Sequence, residues 1–456
     1  MGVGRIAVID LGEVPAGQVF DEAQPRRGPR RRWTMAALVL IAAASTLAAG
    51  EPLQRPLPTA VLDVPGDVQV LVNGDRLFVV QPFALSQGRG DGRYVMAYHL
   101  MDLKRLWRVE LPLGGNVYGL RMLDDVLALT GDPSQPPGNE GPGSGAGEGT
   151  AAGPETVGLD PATGAMVWRH KGFIETATPG GRLILSTEIG DPSAIPADSG
   201  PGRTLRAVTG TGRLVWSYYP PPGALRSYRW EGDRVTLLAV LRPDGRVELR
   251  DTDTGELLRT GRIGPLDQDA TAGRYVEIIG DLLLLREGSE VRAYGVERLD
   301  LRWRLPFEPG HEPWFTACGA VICAWGEGGL KAIDAGTGRV RWSDPRWTES
   351  FGSGSSLIVT DFDPRRGEQT VVVVDPNTGR VERELGRWHA PVTVDESIVA
   401  LRFDSTRVLV ARLDAAHGIR LVGVVSDVVG PSCSVRLRSI WCRRSDSTLG
   451  IWRLPG

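Results

Sequence analysis

The sequence predicts an all-β fold of repeated four-stranded antiparallel sheets, and three observations lead to this prediction. Short apolar or alternating runs such as RLFVVQP, RLILSTE and DLLLLRE follow one another beyond Ala60, with almost no helical spacing. A strand-turn-strand phrase recurs along the chain, most clearly as AIDAGTGRVRW at Ala332–Trp342. The copies lie roughly 40 residues apart, and four strands in such a period are typical of a β-propeller blade.

The chemistry of the repeated phrase explains the residues that recur in it. The Asp334 carboxylate can accept hydrogen bonds from backbone amides a few residues further on, which closes a loop. Gly338 can adopt a positive φ without a Cβ clash. Trp342 lies on the returning strand, where its ring can bury on the order of 200 Å² between neighbouring sheets. The corresponding structural residues in other copies are Asp160, Gly164, Trp168, Gly212, Trp216, Asp375 and Gly379.

The strongest copies resemble a known family of repeats. LKAIDAGTGRVRWSD, VGLDPATGAMVWRH and LRAVTGTGRLVWSY are similar to the repeats of the pyrroloquinoline-quinone (PQQ) propeller superfamily, over roughly residues 60–456. That superfamily includes quinoprotein dehydrogenases and an outer-membrane assembly lipoprotein that carries no cofactor. This chain resembles the non-catalytic, membrane-associated members most, because it has no Cys-Cys dipeptide and no Glu, Asn and Asp trio that aligns with the quinone site.

The number of blades follows from the repeat anchors. The residue at the anchor position is Trp107, Trp168, Trp216, Arg259, Trp303, Trp342, Arg383 or Leu421. A ninth stretch, SVRLRSIWCRRSDSTLGIWRLP, has about three strands, and TAVLDVP at Thr59–Pro65 can supply a fourth and close the ring. This literal count is nine, whereas the family resemblance implies eight. We expect eight blades, with seven or nine as alternatives.

The N-terminal region predicts a membrane anchor. Residues 1–32 form a polar tail ending in RRGPRRR, and residues 33–50 carry no charge and span roughly 27 Å as a helix. The preceding arginines place the tail in the cytoplasm. We expect a single-pass anchor in the cytoplasmic membrane, a linker at 51–58 and an extracytoplasmic propeller at 59–456. A cleaved signal peptide and a buried core helix are the alternatives.

Composition limits the possible partners. The formal net charge of −3 and the pI near 6.1 give no basic footprint for nucleic acid. Residues 133–154 are of low complexity, and we expect a disordered loop insertion there. Their glycines do not form a phosphate-binding loop, because no Lys-Ser/Thr and no helix follow them.

The four cysteines predict two disulfides, Cys318–Cys323 and Cys433–Cys442, since each pair sits on a local hairpin of an extracytoplasmic domain. Free buried thiols are the alternative. Their spacings do not match zinc ligand pairs. The five histidines form no His-Glu-x-x-His motif or triad, and no metal site, cofactor site or catalytic residue is predicted; these histidines are His99, His170, His311, His389 and His417.

The sequence leaves three functions open. The first is a membrane-anchored, non-catalytic scaffold that binds a protein, peptide or envelope component on the propeller face. The second is a quinoprotein dehydrogenase, which alone of the three requires PQQ and calcium. The third is an extracellular ligand sensor that signals through the single helix to residues 1–32. The repeated turns belong to the scaffold of the fold, so they do not decide between these functions.

Overall fold

The computed structural model describes residues 57, 59–64, 68–81, 93–100, 102–114, 117–123, 125–133, 153–188, 203–264, 266, 274–307, 313–326, 328–353, 356–363, 367–394, 397–436 and 439–454. The chain divides into Met1–Leu53 and Gln54–Gly456. The predicted tail (1–32), the predicted membrane segment (33–50) and residues 134–152 of the predicted loop insertion lie outside the described residues. No helix in the described ranges is long and apolar enough to cross a bilayer.

All regular structure in the described residues is antiparallel β-strand. The strands of the N-terminal half are β1 (Thr59–Leu62), β2 (Gln69–Asn73), β3 (Arg76–Gln81), β4 (Tyr94–His99), β5 (Arg105–Glu110), β6 (Val117–Leu123), β7 (Val126–Gly131), β8 (Glu155–Leu159), β9 (Met166–Lys171), β10 (Phe173–Ala177), β11 (Arg182–Glu188), β12 (Arg203–Thr209), β13 (Leu214–Tyr218), β14 (Leu225–Glu231), β15 (Arg234–Leu241), β16 (Arg246–Asp251) and β17 (Leu257–Arg262).

The strands of the C-terminal half continue the same pattern. They are β18 (Tyr275–Ile279), β19 (Leu282–Glu287), β20 (Glu290–Gly295), β21 (Leu301–Pro306), β22 (Trp314–Cys318), β23 (Val321–Gly326), β24 (Gly329–Asp334), β25 (Val340–Asp344), β26 (Glu349–Ser353), β27 (Ser356–Asp363), β28 (Glu368–Val374), β29 (Val381–Val394), β30 (Ser397–Asp404), β31 (Arg407–Asp414), β32 (Gly418–Ser426), β33 (Val428–Arg436), β34 (Ser439–Arg444) and β35 (Leu449–Arg453).

Successive strands pair into four-stranded units. Units 1 to 6 are β2–β5, β6–β9, β10–β13, β14–β17, β18–β21 and β22–β25. The next sheet has seven strands, β26 to β32, because the long strand β29 pairs with β28 through its first half and with β30 through its second. We number its two halves units 7 and 8. Unit 9 consists of β33, β34, β35 and β1, so the first strand of the described residues completes the last sheet.

The predicted eight blades are therefore not confirmed, since the described residues contain nine four-stranded units. The anchor residues mark only eight of these units. Unit 9 has no anchor, because its third and fourth strands, β35 and β1, are not joined by a turn. The strand expected from TAVLDVP is β1, which pairs with β35 from Thr59↔Trp452 to Leu62↔Leu449.

Apolar side chains between neighbouring units form the core. Phe78 and Val80 of unit 1 cluster with Leu127 and Leu129 of unit 2, and similar clusters fill the other junctions. Leu449 and other side chains of unit 9 cluster with side chains of unit 1. Each such side chain stabilises the fold by about 1.5–3 kcal/mol. Both faces of a middle strand are covered, which is why runs such as DLLLLRE show no alternation.

The up-and-down strand order gives each unit two different ends. The first-to-second and third-to-fourth connections lie at one end, which we call the turn face. The second-to-third connections and the connections between units lie at the other end, which we call the loop face. The five connections longer than six residues between the described strands are all at the loop face, namely β3–β4, β7–β8, β11–β12, β17–β18 and β21–β22.

Both predicted disulfides are present and join adjacent strands. Cys318–Cys323 links β22 to β23 in unit 6, and Cys433–Cys442 links directly opposed residues of β33 and β34 in unit 9. No described cysteine is free. Each bridge therefore closes a short local hairpin rather than linking distant parts of the chain.

Candidate functional site

The repeated turns use their polar groups within themselves. Asp334 Oδ1 accepts hydrogen bonds from the backbone N–H of Thr337 (2.8 Å) and from the Thr337 hydroxyl (2.8 Å), and Arg341 pairs with Oδ2. The Arg341 guanidinium and the Thr337 groups lower the pKa of Asp334 to about 2. The Gly338 N–H donates to the Asp334 carbonyl at 2.8 Å, and Gly338 has φ +70°. The carboxylate is thus occupied by its own turn.

Other copies repeat this turn. In two of them the Asp carboxylate accepts a backbone N–H two residues on, at 2.6 Å for Asp160 and 2.7 Å for Asp375. The backbone N–H of Asn377 and other groups of that turn lower the pKa of Asp375. Gly164, Gly212 and Gly379 all have positive φ. These residues therefore shape the turn face, and they do not converge on a ligand site.

The anchor tryptophans join each unit to the turn of the next. The indole N–H of Trp342 donates to the Pro376 carbonyl at 2.8 Å. Each ring also covers the turn glycine, since a Cβ on Gly379 would lie 2.6 Å from Trp342. The same bond is made by Trp107 to Pro161 (3.0 Å), Trp168 to Gly210 (2.8 Å), Trp216 to Thr252 (3.0 Å) and Trp303 to Ala335 (2.8 Å).

Two arginines stand at the tryptophan position of other joints and also donate a hydrogen bond to the following turn. Arg383 Nη1 donates to the Ala416 carbonyl at 3.0 Å, and Arg259 Nη1 donates to the Glu297 carbonyl. The sequence marks both anchors as degenerate copies, yet each guanidinium bonds the following turn, at the carbonyl one residue beyond the one that tryptophan bonds in the other joints. The donor is preserved although the aromatic ring is lost.

The described histidines are dispersed. His99 and His417 contact the Asp of their own turns, at 2.8 Å from Asp102 and 3.1 Å from Asp414. His170 Nε2 lies 2.8 Å from the Gly212 carbonyl, and His389 packs edge-on against Phe403. His311 lies outside the described residues. In the described part of the chain no three His, Cys, Asp or Glu side chains group as metal ligands.

Exposed aromatic side chains concentrate at the loop face. The first strands of neighbouring units contact one another, so we call them the innermost or axial strands. Tyr118 and Trp314 lie at the loop end of two such strands and are 53% and 60% exposed. Tyr219 follows β13 and Phe362 lies near the end of β27, again at the loop face. Of the described aromatic residues with such exposure, Trp230 alone lies at the turn end. Exposed Trp and Tyr are typical of protein-binding surfaces, so this distribution distinguishes the loop face from the turn face.

Exposed aliphatic side chains follow a different pattern. They occur near the start of the fourth strand in units 1 to 8, for example Leu214, Leu301 and Val340. Because one or two occur in each of these units, they follow the repeat and do not mark a particular region as a binding site.

Cationic side chains cover several aromatic rings at the loop face. Arg108 lies 3.5 Å above the Tyr94 ring, and Arg286 lies 5.9 Å above Tyr275. Three further pairs occupy loop ends in other units, Arg203–Phe173 (5.6 Å), Lys331–Phe307 (5.3 Å) and Arg346–Trp347 (4.7 Å). A cation over a ring contributes about 0.5–1 kcal/mol at an exposed site. The loop face therefore combines the two residue types, aromatic and arginine, that dominate binding hot spots.

The innermost strands carry polar groups as well. Glu175 of unit 3 bonds Arg226 (3.0 Å) and the Tyr228 hydroxyl (2.6 Å) of unit 4. Burial, with Glu175 nearby, raises the pKa of Tyr228 well above its usual value. Burial also raises the pKa of Glu277 in unit 5 to about 7, although the Phe315 N–H donates to this carboxyl. The axial side of units 3 to 5 is thus polar.

The turn end of these axial strands is tied across units. Arg121 of unit 2 donates to the Asp233 carbonyl of unit 4 at 2.6 Å, passing unit 3. Arg234 donates to the Thr178 carbonyl at 3.1 Å. These bonds tie units 2 to 4 together at the turn face, whereas the long connections lie at the loop face.

Sequence reasoning identified the turn residues but missed the loop-face residues. Tyr118, Tyr219, Trp314 and Phe362 belong to no repeated phrase, so periodicity gives no signal for them. The signal that the sequence offers is the unequal spacing of the anchors. Wide spacing marks a long connection, and the long connections lie between second and third strands or between units, which is at the loop face.

The nine units, their apolar junctions and their turn joints define a β-propeller. No family model and no curated protein sequence matches the chain. Among solved structures it is similar to a eukaryotic initiation factor (12% identity, 84% of this chain and 94% of that chain, TM-score 0.50) and to BamB from Moraxella catarrhalis (15% identity, 88% and 97%, TM-score 0.40). The C-terminal WD40 domain of Sif2 is a further likeness (12% identity, 73% and 93%, TM-score 0.40). At these identities the likeness concerns the fold.

Proposed function

We propose that the chain is a non-catalytic scaffold that binds a protein partner across its loop face. The observation that carries this proposal is the difference between the two faces. At the turn face the polar groups of the turns bond one another, and the glycines lie under indole rings. At the loop face, exposed Tyr118, Tyr219, Trp314 and Phe362 accompany the long connections. Binding loops on a rigid scaffold are a common use of such folds.

Further parts of the proposal extend the sequence predictions. The scaffold is a ring of nine blades of the PQQ-like type, tethered to the cytoplasmic membrane by residues 33–50 and located outside it. Tethering supports a binding role, because confinement near a membrane raises the effective concentration of the scaffold toward partners there. The proposal assigns no cofactor or metal to the chain.

Photo-crosslinking of the full chain in its membrane tests the proposed face. A photoreactive phenylalanine analogue replaces Tyr219 or Trp314 at the loop face, and Trp230 at the turn end serves as the matched exposed aromatic control. We expect a discrete crosslinked protein from the loop-face positions and none from Trp230. Equal crosslinking from both faces, or none from the loop face, would contradict the proposal.

A further inference from the structure

Glu277 lies at the junction between the innermost strands of units 5 and 6. Successive side chains of a strand point to opposite faces. Val276 and Ile278 of β18 are buried in the cluster shared with unit 4, so Tyr275 and Glu277 lie on the face toward unit 6. The Phe315 N–H of β22 donates to the Glu277 carboxyl. This one side chain therefore connects two neighbouring units.

The Glu277 carboxyl is only partly satisfied by its surroundings. Its Oε2 atom is buried and has no hydrogen-bond partner among the described residues. A buried carboxylate that lacks a cation or enough donors is costly when it is ionised, and it becomes neutral instead. The geometry thus favours the protonated form, and burial correspondingly raises the pKa of Glu277 to about 7.

The charged groups near Glu277 are directed elsewhere. The strands packed against β18 are β14, β19 and β22. Arg226 of β14 pairs with Glu175 of unit 3, Arg286 of β19 lies over the Tyr275 ring, and β22 carries no charged residue. Other charged or titratable groups on these strands and just before β18 are Tyr228, Arg229, Glu231, Arg274 and Glu287. Burial and the Phe315 N–H set the pKa of Glu277, and no described charge is among the causes.

Glu277 adjoins an aromatic pair at the loop face. Tyr275 is two residues nearer the loop end of β18, and its ring meets the Trp314 ring edge-on at 6.0 Å between centroids. Trp314 is 60% exposed and directly precedes Phe315, whose N–H holds Glu277. Burial and the charge of Glu277 raise the pKa of Tyr275. The protonation state of Glu277 therefore acts on residues of the proposed binding face.

We propose that Glu277 makes partner binding at Trp314 dependent on pH, with the protonated carboxyl as the form that favours binding. This inference rests on the proposed function and adds its regulation. A partner that covers Tyr275 and Trp314 excludes water from the rings next to Glu277. Because a drier environment further disfavours an ionised carboxylate, binding and protonation favour each other. Affinity is therefore highest at mildly acidic pH and falls as pH rises above neutrality.

The same carboxyl links the stability of the ring to pH, without any partner. Its folded-state pKa of about 7 lies above its ordinary value of 4.5, so its stabilising contribution is fully present below about pH 4.5 and is lost as pH rises to about 7. The variant Glu277→Gln resembles the neutral carboxyl at every pH. We expect the unfolding temperature of the wild type to fall relative to this variant between about pH 5 and about pH 8.

Fluorine NMR of the full chain in detergent micelles tests the titration directly. A fluorotryptophan is introduced at Trp314 alone, and its resonance is followed with pH. We expect a shift with a midpoint near pH 7 in the wild type and no such midpoint in Glu277→Gln. The matched control is Glu349→Gln, which removes an exposed carboxylate at the loop end of the innermost strand of unit 7 and is expected to retain the midpoint.

A second control separates Glu277 from a nearby histidine. His311 lies three residues before Trp314 in the sequence, outside the described residues, and an ordinary histidine titrates near pH 6.5. We expect His311→Gln to retain the midpoint. The carboxylates of the neighbouring loop-face connections titrate near pH 4 when they are exposed, well below this midpoint; they are Asp267, Asp269, Glu308 and Glu312.

Photo-crosslinking from position 219 in the membrane tests the effect on the partner. We expect the yield of the crosslinked protein to be about three- to tenfold lower at about pH 8 than at about pH 6 for the wild type. Glu277→Gln is expected to show equal yields. Comparison of the two chains at each pH removes effects of pH on the partner itself.

Several results would overturn the inference. These are a midpoint that is absent from the wild type, that persists in Glu277→Gln or that disappears in His311→Gln. Crosslinking with the same pH dependence in the wild type and in Glu277→Gln would overturn it as well. Loss of crosslinking at both pH values, with the Trp314 midpoint intact, would contradict the proposed function instead, so failures of the two proposals are distinguishable.

Discussion

At the turn face, two kinds of contact between neighbouring units, which we call joints, can be compared. In five joints a tryptophan of one unit covers a positive-φ glycine of the next turn, as Trp303 covers Gly338. At the joint between units 4 and 5 the arrangement is reversed. Leu299 stands where the turn glycine is expected, has φ +56°, and lies over Gly261 of the preceding unit, where an added Cβ would be 2.5 Å from Leu299 Cδ1.

This comparison shows what the ring requires of its sequence. The tryptophan joints and the joint between units 4 and 5 each combine one bulky side chain, one glycine beneath it and one donor to the turn, but the two units exchange the first two roles. Unit 1 shares part of the reversed arrangement, because its turn has Leu103 at φ +51° and unit 9, which precedes it, has no tryptophan on β1. The bulky side chain can thus come from either unit, provided that the residue beneath it is a glycine.

Removal of a joint tryptophan is expected to have the largest effect. Trp168→Ala leaves a cavity over Gly158 and Gly212 and removes the hydrogen bond to Gly210, so we expect a loss of about 3–5 kcal/mol in the free energy of unfolding. Denaturant titration of the full chain measures it. Exposed Trp230→Ala is the control, and an equal loss in both variants would show that the joint contributes nothing specific.

Substitution of a turn glycine is expected to have the next largest effect on the free energy of unfolding. Gly338→Ala combines a positive φ with a Cβ 2.6 Å from the Trp303 ring, so we expect a loss of roughly 2–4 kcal/mol. Gly280→Ala isolates the backbone contribution, because Gly280 has φ +58° with nothing within 4 Å of the added Cβ. The indole contact is the wrong explanation if the two variants are equally destabilised.

Conversion of the reversed joint tests whether the two roles are interchangeable. Arg259→Trp alone brings an indole toward Leu299, and Leu299→Gly alone leaves a cavity over Gly261, so each is expected to destabilise the ring. The double variant restores the arrangement of the other joints. We expect a favourable coupling of about 1–3 kcal/mol in a double-mutant cycle followed by thermal unfolding. Additive losses would refute the idea that the joints are equivalent.

The arginine joint is expected to give a smaller effect. Arg383→Met keeps the aliphatic stem but removes the donor to the Ala416 carbonyl, which should cost about 1 kcal/mol. Arg383→Trp can restore the donor, since Gly418 has a positive φ and lies beneath the guanidinium. Stability of the Trp variant below that of the Met variant would show that this joint cannot accept a ring.

Acidification is expected to give the smallest and most local effect. The folded-state pKa of Asp334 is about 2, below its ordinary value of 3.8, so its stabilising contribution is present above about pH 4 and is lost as pH falls through that range toward 2. The difference in unfolding temperature between the wild type and Asp334→Asn should therefore shrink over this window. A difference that does not vary with pH would contradict the assignment.

The sequence predicted the repeat, the turn residues and both disulfides, because each depends on a local pattern. It did not reveal that β29 serves two units, since Gly386 and Pro391 in GRWHAPVTV are residues that usually break a strand, whereas here they lie at register shifts within one continuous strand. The donor role of Arg259 and Arg383 was also missed, because the motif was defined by tryptophan. The opposition of Arg246 and Arg262 depends on register, because the two residues become neighbours only when β16 pairs with β17.

The pairing of β1 with β35 has a consequence for the order of events during biosynthesis. Strand β1, made near the beginning of the propeller, has no partner until β35 has been synthesised. Such closure requires a contact of very long sequence separation, which is slow to form. The unpaired edge of β35 is exposed until then and can pair with another chain. The β33–β34 hairpin held by Cys433–Cys442 can form by itself first and offer a prepared edge to β35, to which β1 is then added.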